Sequence, residues 1–159
     1  MGPTRLRIYK RRRVFFGVSM MNLINGHPMV QKIILLSAGG AVGTLLRYGL
    51  SGLAHRVVGE TFPWGTLLVN VLGCFVIGLL WAASERTTFT PALRLFLLTG
   101  TLGAFTTFST YGLETFNLLR DGEVVLGAAN LLLNNVAGLV AVIGGFVLAR
   151  VLLGPGGGA

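Results

Sequence analysis

Charge is what this chain has least of. Only 11% of its 159 residues are charged and five are acidic, which excludes the balance of a soluble globular domain. Cysteine is reduced to Cys74, so no intrachain disulfide can form, and in its apolar run that thiol reads as a packing residue. Histidine is limited to His27 and His55, neither of which has neighbours at metal-ligand spacing, and both read as surface residues. No nucleophile pairs with a base and no metal cluster can be assembled, which argues against an enzyme.

Apolar residues fill the space that charge leaves: 53% of the chain is hydrophobic and mean hydropathy is +0.76. Charge-free runs cover residues 61–84, 95–113 and 124–149, each near the ~20 residues that cross a hydrocarbon core of ~30 Å. A fourth apolar run, 33–53, is interrupted only by Arg47, late enough to snorkel toward an interface. The connections near 54–65, 85–94 and 114–123 are short. This pattern predicts an all-α membrane protein with four transmembrane helices in residues 32–153, a basic extension at 1–31 and a Gly-rich tail at 154–159.

The net charge of +8 belongs mostly to the extension, where Arg5, Arg7, Lys10, Arg11, Arg12 and Arg13 hold six of the thirteen basic residues. Beyond residue 31 seven basic residues face five acidic ones, so nucleic acid is not an expected partner. The apolar patch after the basic run lacks a clear cleavage site, and RRRVFF only faintly resembles a twin-arginine signal. A cationic tail on anionic membrane lipid, or a start assigned too early with Met20, Met21 and Met29 as later candidates, fits better. Four spans put Lys32, Arg86, Arg94 and Arg150 on one side and Arg47, Arg56 and Arg120 on the other, an almost even split. With the extension counted, the bias would hold both termini in the cytoplasm.

Polar residues within the spans are few. Gly39 and Gly43 in the first have the spacing of a close helix contact, and FPWGT opens the second with an aromatic interfacial anchor. Thr66, Asn70 and Gly73 share a stripe of the second span; Asn70 is either interhelical glue or an amide donor facing a pore. In the fourth, Asn130, Asn134 and Gly138 share a face and Asn135 points elsewhere. The third carries Thr99, Thr101, Thr106, Thr107, Ser109 and Thr110 with Gly100 and Gly103, a poor continuous helix. Either these hydroxyls bond back to their own backbone in a packed helix, or the helix breaks and frees carbonyls for a hard cation. Phe108 and Tyr111 lie on one face beyond this point, as core or as ring edges toward an anion.

GGAVGTLLRY, FPWGTLLVN and TGTLGAFTTFST, in this order within residues 29–152, resemble the fluoride channel family, the small dual-topology fluoride exporters of bacteria. The resemblance implies an antiparallel homodimer with two pores, a third helix broken near its middle, and a central structural Na+ held by the carbonyls of Gly103 and Thr106. It carries the pore asparagine onto Asn70 and the first pore phenylalanine onto Phe108. The second falls on Tyr111, a departure that keeps the ring edge and adds a hydroxyl. Asn134 stands where the family tends to have a hydroxyl residue, and Asn130 where it often has an aromatic or polar one. Arg47 matches a vestibule arginine, Thr107 and Ser109 are candidate pore hydroxyls, and Thr66 and Glu114 fall within the motifs.

The implied activity is passive efflux of cytoplasmic fluoride, relieving its toxicity at the plasma membrane. A selective pore must replace fluoride's hydration with donors, from Asn70, Thr107 or Ser109, and bind weakly enough to release it. None of the four apolar runs has an ionisable residue deep within it, as a proton-coupled carrier would need. A transporter of the small multidrug-resistance type is the main rival, but its acidic residue in the first span is missing from 33–53. A noncatalytic membrane-assembly subunit is the second, with Gly and Asn used only for packing.

Overall fold

The computed structural model describes residues 28–85 and 89–154. The calls on the extension up to residue 27, on Arg86 and on residues 155–159 lie outside the described residues. Within them the chain forms four helices long and apolar enough to cross a membrane: α1 (Met29–Val58), α2 (Trp64–Ser84), α3 (Pro91–Arg120) and α4 (Val124–Leu152). The shortest, α2, has 21 residues, which at ~1.5 Å per residue matches a hydrocarbon core of ~30 Å. Helical structure begins at Met29, three residues before the boundary drawn from sequence.

Helices α1, α3 and α4 outrun the apolar runs, so the connections are shorter than expected. α3 continues past Leu113 to Arg120, which places Glu114 inside a span instead of in a connection. Its entry is fixed locally: the Thr90 side chain accepts from the Leu93 N–H at 3.2 Å, and Pro91 occupies the first helical position, where a missing N–H costs nothing.

α3 combines hydroxyls bonded back to their own backbone with a local break, in different places. Residues 95–102 form a wide π-helix, with the Thr101 hydroxyl donating back to the Phe96 carbonyl at 3.0 Å. One α-helical turn, Gly103–Phe105, follows, and the Thr106 hydroxyl donates to the Leu102 carbonyl at 3.1 Å. The break then falls on two residues only, Thr106 (φ −85°, ψ 158°) and Thr107 (φ −148°, ψ 118°), both extended. The second half restarts at Phe108, capped by the Thr107 hydroxyl, which accepts from the Thr110 N–H at 3.2 Å.

α2 packs along α4, while α1 lies against the first half of α3 and the second half of α3 rests on α4. Small residues permit these approaches. A Cβ on Gly43 would overlap the Thr101 carbonyl, and one on Gly145 the Phe75 carbonyl, so α1–α3 and α2–α4 meet backbone to backbone. The close contact expected of the α1 glycines is therefore made to α3. The core itself is small, a cluster of Val69, Leu98, Leu102 and Phe105.

Helix ends are pinned by charge. Arg150 pairs with Glu85 at 3.2 Å and stacks over Phe146, while Arg94 donates to the Ser84 carbonyl at 3.3 Å, tying three helix ends together. At the opposite end Phe62 and Trp64 pack their rings 4.8 Å apart where α2 begins.

Substitution at two neighbouring glycines tests the α1–α3 contact. Gly43→Ala should lower unfolding free energy in micelles by about 3 kcal/mol, because its Cβ meets backbone that cannot yield. Gly40→Ala, whose Cβ has nothing within 4 Å, should stay within about 0.5 kcal/mol of wild type or gain slightly in helix propensity. Denaturant titration of both variants decides it.

Candidate functional site

Where α3 breaks, the Thr107 peptide leaves the helical ladder. In a continuous helix its N–H would bond to the Gly103 carbonyl four residues back. Here it donates to Asn70 Oδ1 of α2 at 2.9 Å, and Asn70 Nδ2 donates to the Thr107 carbonyl at 3.1 Å. One side chain with both a donor and an acceptor thus replaces both lost partners, which explains why position 70 holds a carboxamide. The Gly103 carbonyl is released from the bond it would otherwise accept.

From Asn70 a chain of amides runs into the protein. The second Nδ2 proton of Asn70 goes to Asn134 Oδ1 at 3.0 Å. Asn134 Nδ2 donates to Asn130 Oδ1 at 2.8 Å and to the Asn130 carbonyl at 3.1 Å. Asn130 is fully buried and its Nδ2 donates to Thr115 Oγ1 at 2.9 Å, whose hydroxyl donates to the Tyr111 carbonyl at 2.8 Å. Every link runs from one donor to one acceptor, so the orientation of each amide is set by its neighbours. A buried amide of this kind is tolerable only when so paired.

Two cavities flank the break. One, of about 460 Å³, brings together Asn70, Thr107, Phe108, Tyr111 and Asn134, with Gly103 and Thr106 also on its wall. The Phe108 and Tyr111 rings meet edge-on, 5.4 Å apart at 66°, but they differ in burial: Tyr111 is 7% exposed and Phe108 81%. Ser109 is not among the residues on this wall; its hydroxyl lies 3.3 Å from that of Thr107. The second cavity, of about 830 Å³, is lined by Arg47, Thr66, Thr107, Thr110 and Glu114 with His55 and Arg56. Arg47 is therefore apart from the amide chain, on the wall of the second cavity.

The sequence reading left several members of this arrangement without a role. Thr66 donates to Glu114 Oε1 at 2.7 Å, joining α2 to a carboxylate within α3. Glu114 Oε2 and His55 Nδ1 are buried with no hydrogen-bond partner among the described residues. Thr115 links Asn130 to α3, and Asn135, set aside as pointing elsewhere, donates to the Tyr111 hydroxyl at 2.9 Å. The four-residue step from Tyr111 to Thr115 was a usable signal; the contacts between helices had none. Among the described residues no three of His, Cys, Asp and Glu come together as a metal site.

Residues 34–146 match the family described as CrcB-like protein, Camphor Resistance (CrcB). The chain belongs to the CrcB-like family. A Nitrosococcus oceani protein named Fluoride-specific ion channel FluC is 48% identical over 125 residues, 78% of this chain and 100% of that protein. Relatives of the same name from Salinibacter ruber and Solidesulfovibrio magneticus are 50% and 46% identical, over 77% and 78% of this chain and 92% and 100% of their own length. With its four helices, this CrcB-like chain is a multi-pass membrane protein.

Removing the Asn70 side chain should expose how much the break depends on it. Asn70→Ala leaves both ends of the Thr107 peptide and one Asn134 oxygen unpaired, and should cost about 2 kcal/mol of stability. Asn135→Ala, at an exposed position, should cost about 0.5 kcal/mol or less. Parallel denaturant titrations in detergent compare the two.

Proposed function

We propose that the chain is a fluoride-selective channel, not an enzyme, that lets cytoplasmic fluoride leave the cell passively and so relieves fluoride toxicity. One observation carries this reading: Asn70, Thr107, Phe108, Tyr111 and Asn134 converge on a single cavity at the α3 break, in a chain about half identical to relatives named for fluoride conduction. Fluoride that enters as the neutral acid ionises inside, and the anion needs a path out.

The cavity suits a small, strongly hydrated anion. Phe108 and Tyr111 offer ring edges, which carry positive quadrupole density, and no fixed cation sits on the wall to hold the ion back. Both Asn70 Nδ2 protons are already engaged, so an anion reaches them only by displacing the Thr107 carbonyl or Asn134 Oδ1. That exchange keeps binding weak and reversible, as conduction requires. Thr107 and Ser109 hydroxyls lie at the same level, and Arg47 in the second cavity draws anions toward the entrance.

The working unit in this reading is an antiparallel homodimer. Phe108 at 81% exposure is a poor lipid-facing choice for a cavity-lining ring but a good one for a ring covered by a second copy. Within the four spans Lys32, Arg94 and Arg150 at one end are balanced by Arg47, Arg56 and Arg120 toward the other, so the spans themselves favour neither orientation, and only the basic residues ahead of them would bias it. The Gly103 and Thr106 carbonyls suit Na+, a hard cation; Thr107 releases the first of them, and one copy supplies too few oxygens to complete a shell. A bound Na+ would pin two α3 breaks together and add positive potential near both paths.

Fluoride efflux from liposomes loaded with potassium fluoride, with chloride as control, tests the channel. Wild type should empty rapidly of fluoride and hold chloride, and Phe108→Ala should slow efflux at least about tenfold, the effect of roughly 1.4 kcal/mol on the barrier. Absence of efflux from folded protein would overturn the reading. For the cation, raising Na+ at constant ionic strength should increase the melting temperature of the dimer, whereas a large organic cation should not.

A further inference from the structure

Asn135 and Tyr111 form a pair outside the amide chain. Asn135 Nδ2 donates to the Tyr111 hydroxyl at 2.9 Å and to the Leu131 carbonyl of its own helix at 2.7 Å. A carbonyl oxygen can only accept, so the Asn135 atom between these two groups must be its nitrogen. The phenol oxygen therefore acts as acceptor toward Asn135, and its own proton must point away from that contact. Among the described residues that proton has no acceptor, whereas both Nδ2 protons of Asn70 are taken up by protein oxygens. Tyr111 and Asn135 both line the 460 Å³ cavity.

The tyrosine has little freedom to aim elsewhere. Its ring is 7% exposed and lies edge-on to Phe108, and its backbone carbonyl is held by Thr115. A donor placed on the phenol oxygen also polarises the O–H bond, making it a better donor in turn. The hydroxyl is neutral, so it can bind an anion without trapping it as a fixed cation would.

We propose that the Tyr111 hydroxyl is a directed hydrogen-bond donor to the anion in the cavity, and that Asn135 is the residue that positions it. This inference rests on the channel reading of the same cavity. It assigns an uncommitted donor on the wall to a phenol and predicts discrimination in favour of fluoride, which accepts a hydrogen bond more strongly than the larger halides.

The test compares wild type, Tyr111→Phe, Asn135→Leu and the double variant in fluoride efflux from liposomes over a range of internal fluoride concentrations. Melting temperatures in detergent are measured alongside. Tyr111→Phe keeps the ring and should raise the half-saturating fluoride concentration about fivefold, the effect of one hydrogen bond, with an unchanged melting temperature. Asn135→Leu should reproduce part of that rise, and the double variant should equal Tyr111→Phe alone. A half-saturating concentration in Tyr111→Phe equal to that of a conducting wild type would overturn the donor role while leaving the channel reading intact. An Asn135→Leu effect that persists in full on top of Tyr111→Phe would overturn the positioning role. Failure of wild type itself to conduct would remove the channel reading and this inference together.

Discussion

A helix interrupted inside a membrane presents a peptide group that hydrocarbon will not solvate, and here the Asn70 carboxamide takes that group at both ends, Oδ1 to the Thr107 N–H and Nδ2 to its carbonyl. The side chain behaves as a piece of backbone lent by α2 to α3. Because the borrowed amide is then committed, its remaining proton fixes Asn134, which fixes Asn130, which fixes Thr115. The break and the polar wall beside it are one construction. Neither survives without the other, since unpaired amides at this depth are as costly as an unpaired peptide.

Packing supplies the rigidity that this construction needs. The α2–α4 and α1–α3 contacts are made where glycines let backbones touch, so Asn70 and Asn134 are carried on one closely joined pair and the π-helical half of α3 is clamped by the other. The wide turn of residues 95–102 leads into Gly103–Phe105 and delivers Thr106 and Thr107 in extended conformation. Much of the remaining apolar surface faces outward, Phe108 among it, as suits a chain surrounded by lipid.

The four spans were legible because lipid imposes a length and a composition that soluble folds do not. The shared face of Asn130 and Asn134 followed from four-residue spacing, and the hydroxyl-rich stretch of α3 announced an irregularity. Its exact form was not legible: the π-helix absorbs Thr99, Gly100 and Thr101 without a break, and only Thr106 and Thr107 leave the helix. Glu114 was misplaced because the end of a charge-free run was taken as the end of a helix, whereas a carboxylate bonded to Thr66 can remain within a span. The Tyr111–Asn135 contact joins residues on different helices at a separation that no periodicity encodes.

Thr107 lines both cavities, so a single residue belongs to the wall of each. In the channel reading, an anion that crossed from one to the other at this residue would have only a brief dehydrated stretch. The energetic cost of losing water grows with the length of path over which it stays lost, and a thin septum concentrates that cost into one short step flanked by wider spaces. In such a layout, filtering is done at a plane, not along a tunnel, and the residue that forms the plane is also the one whose backbone Asn70 holds in place.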